Sequence, residues 1–78
     1  MPTVLQVGPY RFFFYAGDGL EPPHVHVRRD DDIAKVWLTP VRLATSGGFR
    51  AAEINRIVGL VREHDQELLR SWYDYFTD

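Results

Sequence analysis

The hydrophobic period of this chain changes once, near residue 50, and that change limits the fold more than any other feature. Before it, runs such as His24-Val25-His26-Val27-Arg28-Arg29 alternate from one face to the other, and Tyr10-Arg11-Phe12-Phe13-Phe14-Tyr15 is rich in the aromatic residues that strands favour. After it, Ile54, Ile57, Val58, Val61, Leu68, Trp72, Tyr75 and Phe76 recur at helical spacing. Strands followed by helices predict an α+β fold: a small antiparallel sheet of three to four strands, then a C-terminal helix or helix pair packed on one face. With 78 residues the whole chain, 1–78, is read as one domain, because a chain of this size buries only about three fifths of its unfolded surface and cannot fill two cores.

Turn chemistry sets the predicted boundaries. Strands are expected at about 3–7, 10–16, 24–29 and 33–38, separated by Gly8-Pro9, by an exposed loop from Ala16 to Pro23, and by the polar turn Asp30-Asp31-Asp32. Thr39-Pro40 stops the fourth strand, Val41 to Ala44 reads as a short turn, and Ser46-Gly47-Gly48 is loop. Helical segments are predicted at 50–63 and 65–76. One uninterrupted helix of about 27 residues would run roughly 40 Å, longer than such a sheet, so a break is placed near His64-Asp65.

Composition excludes several classes. The chain has no cysteine, so neither a disulfide framework nor a thiolate zinc site is available, and a reducing, cytoplasmic setting is expected. The first residues lack the basic and apolar stretches of a signal peptide, and no apolar run nears the roughly 20 residues that span a bilayer. Net charge is −2, which argues against a general nucleic-acid binder. The charge is unevenly spread, however. Residues 24–50 carry five cations against three acids, and residues 51–78 carry three against six, so a basic sheet and an acidic helical end are expected.

Alternation places Phe12, Phe14, Val25, Val27, Ala34, Val36 and Leu38 on the core face. The outer face then carries Arg11, Phe13 and Tyr15, His24, His26 and Arg28, and Lys35 and Trp37. Rings interleaved with cations suit stacking on single-stranded bases, so Arg11, Phe13, Tyr15, Lys35 and Trp37 are candidate contacts to RNA or to a partner protein. Phe13, Tyr15 and Trp37 could equally cover a second small core or a dimer contact, and an apolar outer face is a reason to form a homodimer. His24 and His26, with Cα atoms roughly 6.6 Å apart on one face, are candidate catalytic acid and base, with Arg28 holding phosphate. They would also suit a metal, with His64 or Asp30 to Asp32 completing the ligands, but no metal site and no cofactor is assigned. Two surface histidines that only bond the preceding loop are the plainer alternative.

The order Met1-Pro2-Thr3-Val4-Leu5, Tyr10 to Tyr15, Glu21-Pro22-Pro23-His24-Val25-His26-Val27, Ala34-Lys35-Val36-Trp37-Leu38 and Trp72 to Phe76 resembles an uncharacterised bacterial family, the domain of unknown function numbered four-one-six-zero. The resemblance implies a place in a toxin–antitoxin module beside a small cognate protein encoded nearby, and assigns no catalytic residue. It also implies a serine cap at the first helix, where this chain has Arg50. The expected function is a protein interaction module of a toxin–antitoxin type pair with an RNA-binding sheet face; the alternative is a small metal-independent endoribonuclease toxin using the His-x-His pair.

Overall fold

The computed structural model describes residues 3–77; Met1 and Pro2, part of the motif order above, and Asp78 lie outside them. Strands β1 (Thr3–Val7), β2 (Tyr10–Phe13), β3 (His24–Arg29), β4 (Asp32–Leu38) and β5 (Val41–Thr45) pair antiparallel in chain order, a five-stranded meander. Helices α1 (Ala51–Glu63) and α2 (Asp65–Phe76) follow. The α+β reading holds, with five strands rather than three to four.

The added strand is β5, where a short turn was expected. Its register runs Trp37 to Arg42 and Leu38 to Val41, with an irregularity between Lys35 and Val36. Val41 and Leu43 face the core by register around the outward Arg42, but this alternation is short and none of the side chains of this edge strand is fully buried. At the other side, β2 ends at Phe13 instead of near residue 16. The Asp18 carboxylate accepts the Tyr15 N–H at 2.8 Å, and the Asp18 N–H donates to the Tyr15 carbonyl at 3.0 Å. These bonds curl Ala16–Leu20 of the expected exposed loop into a 3₁₀ turn that stays largely exposed.

The core face is the predicted one. Phe12, Phe14, Val25, Val27, Ala34 and Val36 are fully buried and Leu38 nearly so, packed under Ile54, Ile57, Val61, Leu68 and Trp72. The helices bury matching stripes: α1 packs over β4 and β5, and α2 over β1 and β4. Glu53 of α1 accepts hydrogen bonds from Tyr10 at the start of β2 and from Arg29 at the end of β3, fastening the helix to the sheet.

The helix break falls at His64, whose ψ of 15° leaves the helical range. Its backbone N–H donates to the Leu60 and Val61 carbonyls, and its ring Nδ1 to the Leu60 carbonyl, so the last turn of α1 is satisfied without continuing. Asp65 and Glu67 in the first turn of α2 suit the positive end of the new helix. Arg50 is the N-cap of α1 and makes no side-chain capping bond.

Before α1 the chain passes very close to β4. A Cβ on Gly47, whose φ is +58°, would lie 1.7 Å from the Ile33 carbonyl oxygen. Glycine in α1 has no such role. Nothing lies within 4 Å of a Cβ at Gly59, so Gly59→Ala is expected to stabilise the fold by about 0.5–1 kcal/mol through helix propensity, read as a raised urea midpoint. An unchanged or lowered midpoint would mean that this helix face is less open than the structure has it.

Candidate functional site

The 3₁₀ turn and the Pro22-Pro23 segment fold back over the beginning of β3, and this changes the outer sheet face. His24, expected on an open surface, is fully buried. Phe13, read either as an exposed platform or as part of a second small core, is 1% exposed and packs on Tyr15 and His26, so it is not a platform. The causes are local: Asp18 and the Pro22 carbonyl come down on His24 from a segment that otherwise stays exposed, Trp37 and Trp72 close its sides, and Tyr15, His26 and Arg11 close over Phe13. Gly19 permits the close fit, since a Cβ there would lie 2.7 Å from the Phe76 ring of α2.

Beneath this cover the two histidines converge, as their spacing predicts, with ring centroids 5.1 Å apart. They meet at Asp18, a residue that sequence reasoning did not single out. Its Oδ1 lies 3.2 Å from His24 Nε2, and its Oδ2 lies 3.1 Å from His26 Nε2. His24 Nδ1 donates to the Pro22 carbonyl at 2.9 Å. Phe13 stacks on His26 and Tyr15 meets it edge-on, while Trp37 and Trp72 flank His24. His24 is thus sealed, whereas the His26 and Asp18 side chains keep 12% and 13% exposure. Burial holds the His26 imidazole below its ordinary pKa, with the Asp18 carboxylate pulling the other way. The signal for Asp18 in the sequence was its position in Gly17-Asp18-Gly19, an acidic residue in a turn shortly before the His-x-His strand.

The other candidates are dispersed over the same face. Arg28 donates through Nε to the Asp30 carbonyl at 2.8 Å, and so supports the β3–β4 turn instead of joining the histidines. Arg11 lies over the Phe13 ring at 5.2 Å. Lys35 lies over Trp37 at 4.6 Å and donates to Glu21 at 2.6 Å, holding that exposed carboxyl below the usual range. Register adds Arg42 opposite Trp37. A shallow cleft of about 160 Å³ is lined by Trp37 and Arg42 together with Pro22, Pro23 and Thr39. Among the described residues neither His64 nor Asp30 to Asp32 joins the two histidines.

A five-stranded meander covered on one face by two helices, with a His-x-His strand closing on an aspartate, defines a compact α+β module. Residues 10–73 match the profile of a family described as a domain of unknown function, DUF4160, and the chain belongs to that family. No curated protein and no solved structure matches it. No helix is long and apolar enough to cross a membrane among the described residues.

Proposed function

We propose that the protein is a cytoplasmic interaction module of a toxin–antitoxin type pair whose outer sheet face binds single-stranded RNA. The observation that carries the ligand class is the set of cations on that face: Arg11, Arg28 and Arg42, with Lys35, all by register on the side opposite the helices. Among the described residues no carboxylate pairs with Arg11 or Arg42. Phosphate contacts of this kind supply most of the affinity for a nucleic-acid strand, and Tyr15, 37% exposed, and Trp37 beside the cleft offer rings for its bases. The helical side carries Tyr73 and Tyr75, 52% and 44% exposed, and is the surface for a protein partner.

Fluorescence anisotropy with a short labelled single-stranded RNA tests the ligand class. Neutralising one contact by Arg42→Ala is expected to weaken binding and to flatten the log–log salt dependence by about 0.7. No binding by the wild type at low salt, or an unchanged slope in the variant, rejects the RNA face.

The endoribonuclease reading draws support from one observation, the contact between Asp18 and the partly exposed His26, since a carboxylate can orient an imidazole for proton transfer. His24 is sealed, so it would reach a ribose only if residues 16–23 opened. RNA cleavage that persists in chelator and disappears in His26→Ala would favour the enzyme; wild type that leaves RNA intact would exclude it.

A further inference from the structure

The cluster of Asp18, His24 and His26 leaves one buried ring nitrogen without a hydrogen-bond partner. A carbonyl oxygen only accepts, so the 2.9 Å contact between His24 Nδ1 and the Pro22 carbonyl places the ring hydrogen on Nδ1. In the neutral ring Nε2 then holds a bare lone pair. That atom is buried with no hydrogen-bond partner, although Asp18 Oδ1 lies 3.2 Å away in a direction that makes no hydrogen bond. A lone pair facing a carboxylate inside a sealed pocket is unfavourable, and a buried polar atom without a partner costs free energy.

We propose that Asp18, His24 and His26 form a binding site for one divalent first-row transition metal of zinc's class, held by Asp18 Oδ1, His24 Nε2 and His26 Nε2.

One donor atom from each of these three residues already lies within 4.8 Å of the others. Ligand atoms about 2.0–2.1 Å from a tetrahedral ion stand about 3.3 Å apart, so small side-chain rotations close the site. The surroundings match what such a site needs. The bond from His24 Nδ1 to Pro22 fixes the tautomer that exposes Nε2, as the outer-shell partner of a metal-bound histidine does. The Tyr15 N–H occupies Asp18 Oδ2 and leaves Oδ1 turned toward His24. Without the ion, His26 donates from Nε2 to Asp18; with it, that hydrogen moves to Nδ1 and Nε2 becomes a ligand. Phe13, Tyr15, Trp37 and Trp72 wall the histidines on the protein side. The partly exposed Asp18 and His26 leave an entrance and a fourth position for water. Two imidazoles with one carboxylate select borderline ions over magnesium or calcium, which prefer oxygen donors alone.

This site is independent of what the sheet face binds, and it is tested without RNA or a partner. Untagged full-length chain is stripped with chelator, dialysed, and titrated calorimetrically with zinc chloride, then with magnesium chloride, alongside Asp18→Asn and His26→Gln. Thermal melts without metal check that each variant folds. One zinc equivalent is expected in the wild type and no magnesium binding. Outer-shell changes already cost 10–100-fold, so loss of a direct ligand is expected to cost more than about a hundredfold. Zinc should also raise the melting temperature of the wild type and leave that of the variants unchanged. No zinc equivalent, equal binding of magnesium, or wild-type affinity in a folded variant overturns the proposal. Asp18→Asn keeps an acceptor for the Tyr15 N–H; if it fails to fold, His26→Gln decides alone.

Discussion

Replacing Trp72 by alanine is expected to remove about 3–5 kcal/mol of stability, the usual cost of deleting a buried large aromatic side chain. Trp72 is 4% exposed, and its ring meets Phe14 at 5.3 Å, Phe76 at 4.3 Å and His24 at 5.1 Å. It therefore joins α2, the core and the histidine cluster at one point. A domain of this size holds about 4–12 kcal/mol in total at the usual 0.05–0.15 kcal/mol per residue, so the substitution removes a large share. Urea unfolding followed by far-ultraviolet circular dichroism measures it without relying on the lost fluorophore. A loss under about 1 kcal/mol would mean that α2 is not anchored through this side chain.

Gly47→Ala is the second large effect. Left-handed backbone costs an alanine about 1–2 kcal/mol by itself, and here the added Cβ would also fall 1.7 Å from the Ile33 carbonyl oxygen. That neighbour is ladder backbone of β4 and cannot rotate away, so the total is expected to exceed about 2 kcal/mol. Gly17→Ala is the control: nothing lies within 4 Å of its Cβ, and the change is expected to stay within about 0.5 kcal/mol in the same urea measurement. Equal midpoints for the two variants would contradict the close passage before α1.

Much of this fold was legible because its hydrophobic pattern is regular where side chains are buried. Period-2 alternation in β3 and β4 identified Val25, Val27, Ala34, Val36 and Leu38 as core, and all five are buried. The helical stripe from Ile54 to Phe76 was legible for the same reason, and the physical limit on helix length located the break at His64. Two features escaped for opposite reasons. β5 alternates only over Val41-Arg42-Leu43 right after Thr39-Pro40, too short a pattern to announce a strand; its register with β4 does. The turn that brings Asp18 onto His24 is set by short-range bonds between Asp18 and Tyr15, and glycines on both sides of an aspartate look like any exposed turn. The candidate site was half visible. His-x-His spacing predicted that the imidazoles share a side of the sheet, but the third member comes from a segment with no periodicity, and its approach depends on Gly19 meeting Phe76 across the fold.

The strictly sequential strand order has a consequence for how the chain acquires its shape. Every strand pairs with its neighbour in sequence, so each hairpin closes a short loop and no pairing waits for a distant segment. The sheet can assemble early, yet its Phe12, Phe14, Val25 and Val36 face is covered by Phe49 and the two helices, which leave the ribosome after the strands. During synthesis the protein passes through an interval in which a finished sheet displays its greasy side. In that interval the nascent chain is a natural client for a chaperone, and fragments ending before α1 are expected to aggregate.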